Sequence, residues 1–201
     1  MARNCWVGID NGVTGTIAFL IEDRSTGEFS SVFMETPVLS HLSYQKSKKR
    51  NMNRVDWKRL SEEFAKLKET CDRIVVCIER PMINSVRFDA SLSARASLEA
   101  MLILFEMYDL PYSYVDSRAW QKIYLPAGIK GSAEQKEASK EVGLRMFPDH
   151  FFLNYLQHLF FHKYSKKVWS KKVWNIHYIA LIFQLMNKHR KYFHRQKNRI
   201  Q

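Results

Sequence analysis

The stretch that most constrains this chain runs from Trp6 to Leu20 and reads WVGIDNGVTGTIAFL. Two apolar runs flank a short turn, and each run reads as a buried strand. Gly12 and Gly15 supply a tight hairpin and allow close backbone approach. Asp10, the one charge, falls where the first strand ends. A carboxylate there is costly to bury alone, so it serves a metal, a partner group or the turn itself.

A second segment repeats the pattern. Arg73 to Pro81 reads RIVVCIERP, an apolar strand ending in Glu79, with Pro81 turning the chain out of a sheet. A helical stretch separates the two strands. Their acids are therefore expected to converge at one sheet end, as in oxygen-ligand Mg²⁺ sites for phosphoryl chemistry.

The remaining elements follow from pattern and punctuation. After a turn at 22–28, residues 29–35 read as a third strand closing an antiparallel meander, which Pro37 ends. Residues 41–56 are polar and basic, with Lys46, Lys48, Lys49, Arg50 and Arg54, and read as a flexible loop. It either covers phosphates or is simply solvated. Asp56 can cap a helix over about 57–70 with Leu60, Phe64 and Leu67 on one face. Residues 81–89 read as an irregular loop, and about 90–107 as a helix packing Leu98, Met101, Leu102 and Phe105 on the sheet. A strand over 112–115 ends at Asp116, a helix cap ahead of 118–124 or a third acid at the sheet end. Ser132 caps a helix over 133–146 that carries Lys136 and Lys140, with Lys130 at its entry.

The run GIDNGVTGTIA, then IERPM, then VDSRAWQK resembles, over about residues 4–148, the RuvC-like Holliday-junction resolvases, especially phage and viral ones. These belong to the RNase H-like superfamily. The phosphate hairpin of actin-like sugar kinases is similar, but those need two domains and a longer chain. The resemblance implies an α/β fold, an RNase H-like mixed five-stranded sheet flanked by helices. It also implies a structure-selective endonuclease resolving Holliday junctions by metal-dependent phosphodiester hydrolysis, acting as a homodimer on branched DNA. Asp10 and Glu79 would be the catalytic metal ligands for Mg²⁺, or Mn²⁺, with further ligands completing a two-ion site. One ion would activate water and the other stabilise the leaving 3′ oxygen. Arg80, Lys130, Lys136 and Lys140 would lie by the DNA backbone.

Composition divides the chain into a nuclease domain over 1–149 and a tail over 150–201. Of a net charge of +12, residues 1–149 hold 21 Lys and Arg against 20 Asp and Glu, while 150–201 hold 11 cations and no acid. Such a balance calls for a polyanionic partner. Three cysteines, Cys5, Cys71 and Cys77, suit buried thiols in a reducing compartment. No apolar run reaches the length of a membrane span and no signal-peptide core opens the chain, so it is expected to be intracellular, in the cytoplasm of a bacterial or phage-infected cell.

The tail departs from the family pattern. The resolvases place acids on a final helix, but here the nearest counterpart, 173–182, has Trp174 and Tyr178 at those positions, with His177 as the only conventional ligand. One reading is a basic arm whose aromatics stack on unpaired bases. The other is a shifted reading frame. Glycine stops at Gly143, six of seven histidines lie beyond residue 149, and SKKVW repeats in tandem at 165–169 and 170–174. The alternative to the nuclease is therefore a catalytically impaired, branched-DNA-binding relic.

Overall fold

The computed structural model describes residues 2–42, 51–81, 85–129 and 131–146. His177, Lys130 and the whole of the tail lie outside them, as does the expected boundary at residue 149. The chain divides into two compact units, Met1–Tyr114 and Val115–Gln201.

The first unit is built on a five-stranded sheet. Strands β1 (Arg3–Ile9), β2 (Thr16–Asp23) and β3 (Phe29–Glu35) form the antiparallel meander, and β6 (Arg73–Glu79) joins β1 in parallel. With β7 (Tyr112–Val115) the order is β3-β2-β1-β6-β7, a mixed five-stranded sheet. Chain order alone would not put β6 beside β1. A parallel neighbour needs a long crossover, and helix α1 (Trp57–Thr70) lies within it.

One sheet face carries the core. Cys5, Val7, Ile9, Ile17, Phe19, Ile74, Val76 and Ile78 are buried together with Leu60, Phe64 and Leu67 of α1 and Met101, Leu104 and Phe105 of α2 (Phe88–Met107). The period of two on the strands and the i, i+4, i+7 spacing on α1 bring these residues onto facing surfaces. Each large side chain so buried contributes about 1.5–3 kcal/mol. Asp56 caps α1 by accepting a hydrogen bond from the Arg59 amide at 3.2 Å. Helix α2 begins two residues earlier than its composition suggests, because a 3-10 turn over Ser85–Arg87 leads straight into it.

Of the basic stretch at 41–56, Lys46, Lys48, Lys49 and Arg50 lie outside the described residues, and the described ends are strand. Residues Val38–Leu42 (β4) and Asn51–Val55 (β5) pair antiparallel in a separate two-stranded sheet, from Val38 opposite Val55 to Leu42 opposite Asn51. Its sequence lacks apolar alternation because neither face packs broadly on the body; only Val55 is buried.

In the second unit, helices α3 (Ser117–Tyr124) and α4 (Ser132–Met146) are described, with Trp120, Ser139 and Val142 buried. Among the described residues no helix is long and apolar enough to cross a membrane. Cys5, Cys71 and Cys77 are buried free thiols.

Candidate metal centre at the sheet edge

In the β1–β6 pair the last partners are Ile9 and Ile78, both fully buried in the core. Asp10 and Glu79 are the next residues on the two chains. Because the strands run parallel, both acids sit at the same end of the sheet. Neighbouring strands lie about 4.8 Å apart, so the two backbones stand one strand spacing from each other. Side chains alternate along a strand, so both acids leave the core face together. Each is half-buried. Sixty-nine residues of chain close onto one pair of carboxylates.

The hairpin after β1 fixes where Asp10 stands. The Asp10 amide donates to the Thr16 carbonyl at 2.9 Å, and the Gly15 amide to the Gly12 carbonyl at 3.0 Å. Gly12 takes φ +147°, in the region glycine favours. At Gly15 the need for glycine is steric. A Cβ there would sit 2.0 Å from the Asp10 carbonyl oxygen and 3.1 Å from that of Gly12. Asn11 ties the turn to α2, its Nδ2 donating to the Ala94 carbonyl at 2.9 Å. Sequence reading missed this tie, since nothing local to Asn11 announces a partner 83 residues away.

Arg80 follows Glu79 and is exposed, with its guanidinium carbon 5.4 Å from the centre of the Tyr114 ring. That is a cation–π contact which fixes the arginine at the edge of β7. Burial pushes the Cys77 thiol, two residues before Glu79, up to about 12, with the Ser113 hydroxyl opposing the shift. Cys77 is therefore a packing residue and no nucleophile.

In the second unit Asp116 takes the capping role, its carboxylate accepting from the Arg118 amide at 2.8 Å. Lys136 and Lys140 lie one turn apart on α4.

The donor chemistry of this sheet end suits Mg²⁺. Two carboxylates at one sheet end offer oxygen donors, and the residue after Asp10, Asn11, has a buried Oδ1 with no hydrogen-bond partner among the described residues. Mg²⁺ is commonly held by one or two carboxylates plus substrate phosphates, so Asp10 and Glu79 fit one such ion. Among the described residues there is no group of three or more His, Cys, Asp or Glu able to hold a metal. A second ion would need ligands from elsewhere in the chain.

No family model and no curated protein matches the sequence. Among solved structures the chain is similar to Thermus thermophilus RuvC in complex with a Holliday junction substrate, at 12% identity and TM-score 0.42, covering 70% of this chain and 76% of that one. A further structure of Thermus thermophilus RuvC matches at 11% identity and TM-score 0.38, covering 69% and 79%. The Fowlpox virus resolvase in complex with Holliday junction DNA matches at 14% identity and TM-score 0.42, covering 90% and 98%.

Proposed function

We propose that this chain is a structure-selective endonuclease that resolves Holliday junctions by metal-dependent phosphodiester hydrolysis. The observation that supports the reading is the parallel register ending at Ile9 and Ile78, immediately before Asp10 and Glu79, on strands whose sequences resemble resolvase motifs. Asp10 and Glu79 would hold Mg²⁺ or Mn²⁺, which when bound supplies Lewis acidity to the scissile phosphate. The two like charges repel at this spacing, and a divalent cation between them removes that cost. The hairpin hydrogen bonds and the Asn11 tie hold Asp10 in place without rearrangement when substrate arrives. Arg80, Lys130, Lys136 and Lys140 are the proposed DNA contacts in this reading, with the nuclease domain spanning 1–149.

Cutting two opposed strands calls for two copies, and α2 offers a surface for them. Phe88, Leu92, Ile103 and Met107 are exposed by 67%, 48%, 57% and 59%, and with Ala96 and Glu99 they form one stripe at helical spacing. The stripe is self-complementary. Laid antiparallel on a second copy, Phe88 meets Met107, Leu92 meets Ile103 and Ala96 meets Glu99, the repetition a two-fold interface requires. Arg95 and Glu99, an i,i+4 pair 3.7 Å apart, then lie near the same pair reversed.

One observation favours a second reading. Residues 150–201 contain no Asp or Glu, where the resemblance would place the remaining ligands. A relic would bind branched DNA and leave it intact. The deciding assay is cleavage of a synthetic four-way junction with Mg²⁺ or Mn²⁺, beside Asp10→Asn and Glu79→Gln. Cutting that both substitutions abolish is the expected result. Tight binding without cutting establishes the relic, and absence of binding rejects both.

A further inference from the structure

The ribbon of β4 and β5 has no part in the centre just described, yet it grows from it. The Thr36 amide, at the ribbon's foot, donates to the Gly15 carbonyl at 3.0 Å, inside the turn that carries Asp10. The Asp56 amide donates to the Pro37 carbonyl at 2.8 Å and closes the foot, while Val55, 4% exposed, anchors it in the core. Beyond this foot the ribbon is largely exposed, with Met52 half-buried. Every residue of β4 is exposed, Leu42 by 73%, and a two-stranded ribbon with so little packing is marginally stable by itself. A chain keeps such an element when something else covers it.

Charge and chemistry identify the cover. From Thr36 to Val55 there is no Asp or Glu, while the same stretch holds Lys46, Lys48, Lys49, Arg50, Arg54 and His41. Without these five Lys and Arg, residues 1–149 would carry more acids than bases, so the positive charge of the body is concentrated here. The strand register puts Ser40 opposite Asn53 and Leu42 opposite Asn51 on one face. The other face has Arg54 opposite Leu39 and Met52 opposite His41. Hydrogen-bonding side chains therefore occupy both faces. A flat protein surface would use one. An element entering a groove uses both, and the major groove of duplex DNA, about 12 Å wide, admits a two-stranded β-ribbon.

We infer that β4–β5 is a DNA-gripping ribbon that enters a groove of a duplex arm next to the phosphate presented to Asp10 and Glu79. This rests on the nuclease reading for the identity of the polyanion. The ribbon would set the distance between a gripped arm and the cut, because its foot is bonded to the catalytic turn.

The test is fluorescence anisotropy of a labelled four-way junction, and of a plain duplex with the sequence of one arm, over a KCl series without divalent metal. The wild type is compared with Arg54→Gln and with the combined variant K46Q/K48Q/K49Q/R50Q/R54Q. Each lost phosphate contact lowers the slope of log affinity against log salt by about 0.9. The single change should remove about one such step. The combined variant should remove several and weaken binding to both DNAs by roughly tenfold or more at moderate salt. Circular dichroism should be unchanged, since Arg54 is exposed and every substitution exchanges one polar side chain for another. Wild-type affinity and slope in both variants would overturn the ribbon while leaving the nuclease standing. A wild type that binds neither DNA overturns both. A variant that loses self-association while keeping its salt slope shows that a second copy covers the ribbon, and overturns the inference.

Discussion

Gly15 carries more of the site than its size suggests. The Asp10 carbonyl oxygen occupies the space a methyl group would take, 2.0 Å from the Cβ of an alanine. That atom is backbone and has no rotamer by which to move aside. Gly15→Ala must therefore open the turn, breaking the Gly15–Gly12 bond and shifting Asp10 away from Glu79. The expected outcome is a stability loss of about 1–3 kcal/mol with a cleavage defect as deep as that of Asp10→Asn. Urea unfolding and junction cleavage measure the two effects separately. A Gly15→Ala protein that cuts like the wild type would show that Asp10 does not depend on this turn.

Among elements, α1 packs on the sheet through Leu60, Phe64 and Leu67, and Phe64 is its largest side chain there. Phe64 is fully buried and meets Phe19 edge-on at 6.4 Å and Phe105 edge-on at 6.1 Å, linking β2, α1 and α2. A second tie is polar, the hydroxyl of Tyr108, the residue after α2, donating to the Ser61 carbonyl of α1 at 3.0 Å. Phe64→Ala should cost about 3–5 kcal/mol, a large share of the stability of an ordinary domain. Denaturant unfolding should show a lower midpoint with an unchanged slope. A loss under 1 kcal/mol would mean that the helix is held mainly by other contacts.

For the whole molecule the question is the number of copies. The α2 stripe places two apolar residues at each end and a small residue near its middle, so one substitution alters the interface twice in a two-fold pair. Ile103→Asp puts a charge opposite Leu92 on both sides. Sedimentation velocity should show a dimer for the wild type and a monomer for the variant. Paired cutting of the junction should fall to isolated nicks. A variant that remains dimeric places the contact elsewhere.

The sequence by itself determined the meander, α1, β6 and the two strand-ending acids. All of these are set by local signals: period-two burial, i, i+4, i+7 spacing, an Asp cap, and Gly or Pro at the turns. It left Asp116 between a helix cap and a third acid at the sheet end, and the structure makes it the cap. The β4–β5 ribbon was not legible, because a ribbon exposed on both faces leaves no hydrophobic alternation to read. Only the tertiary structure decided that β6 lies beside β1 in a register that continues from Ile9 and Ile78 to Asp10 and Glu79. That register is a long-range pairing across the whole α1 crossover, fixed by burying Val7, Ile9, Val76 and Ile78 against α1 and α2, and no local pattern encodes it.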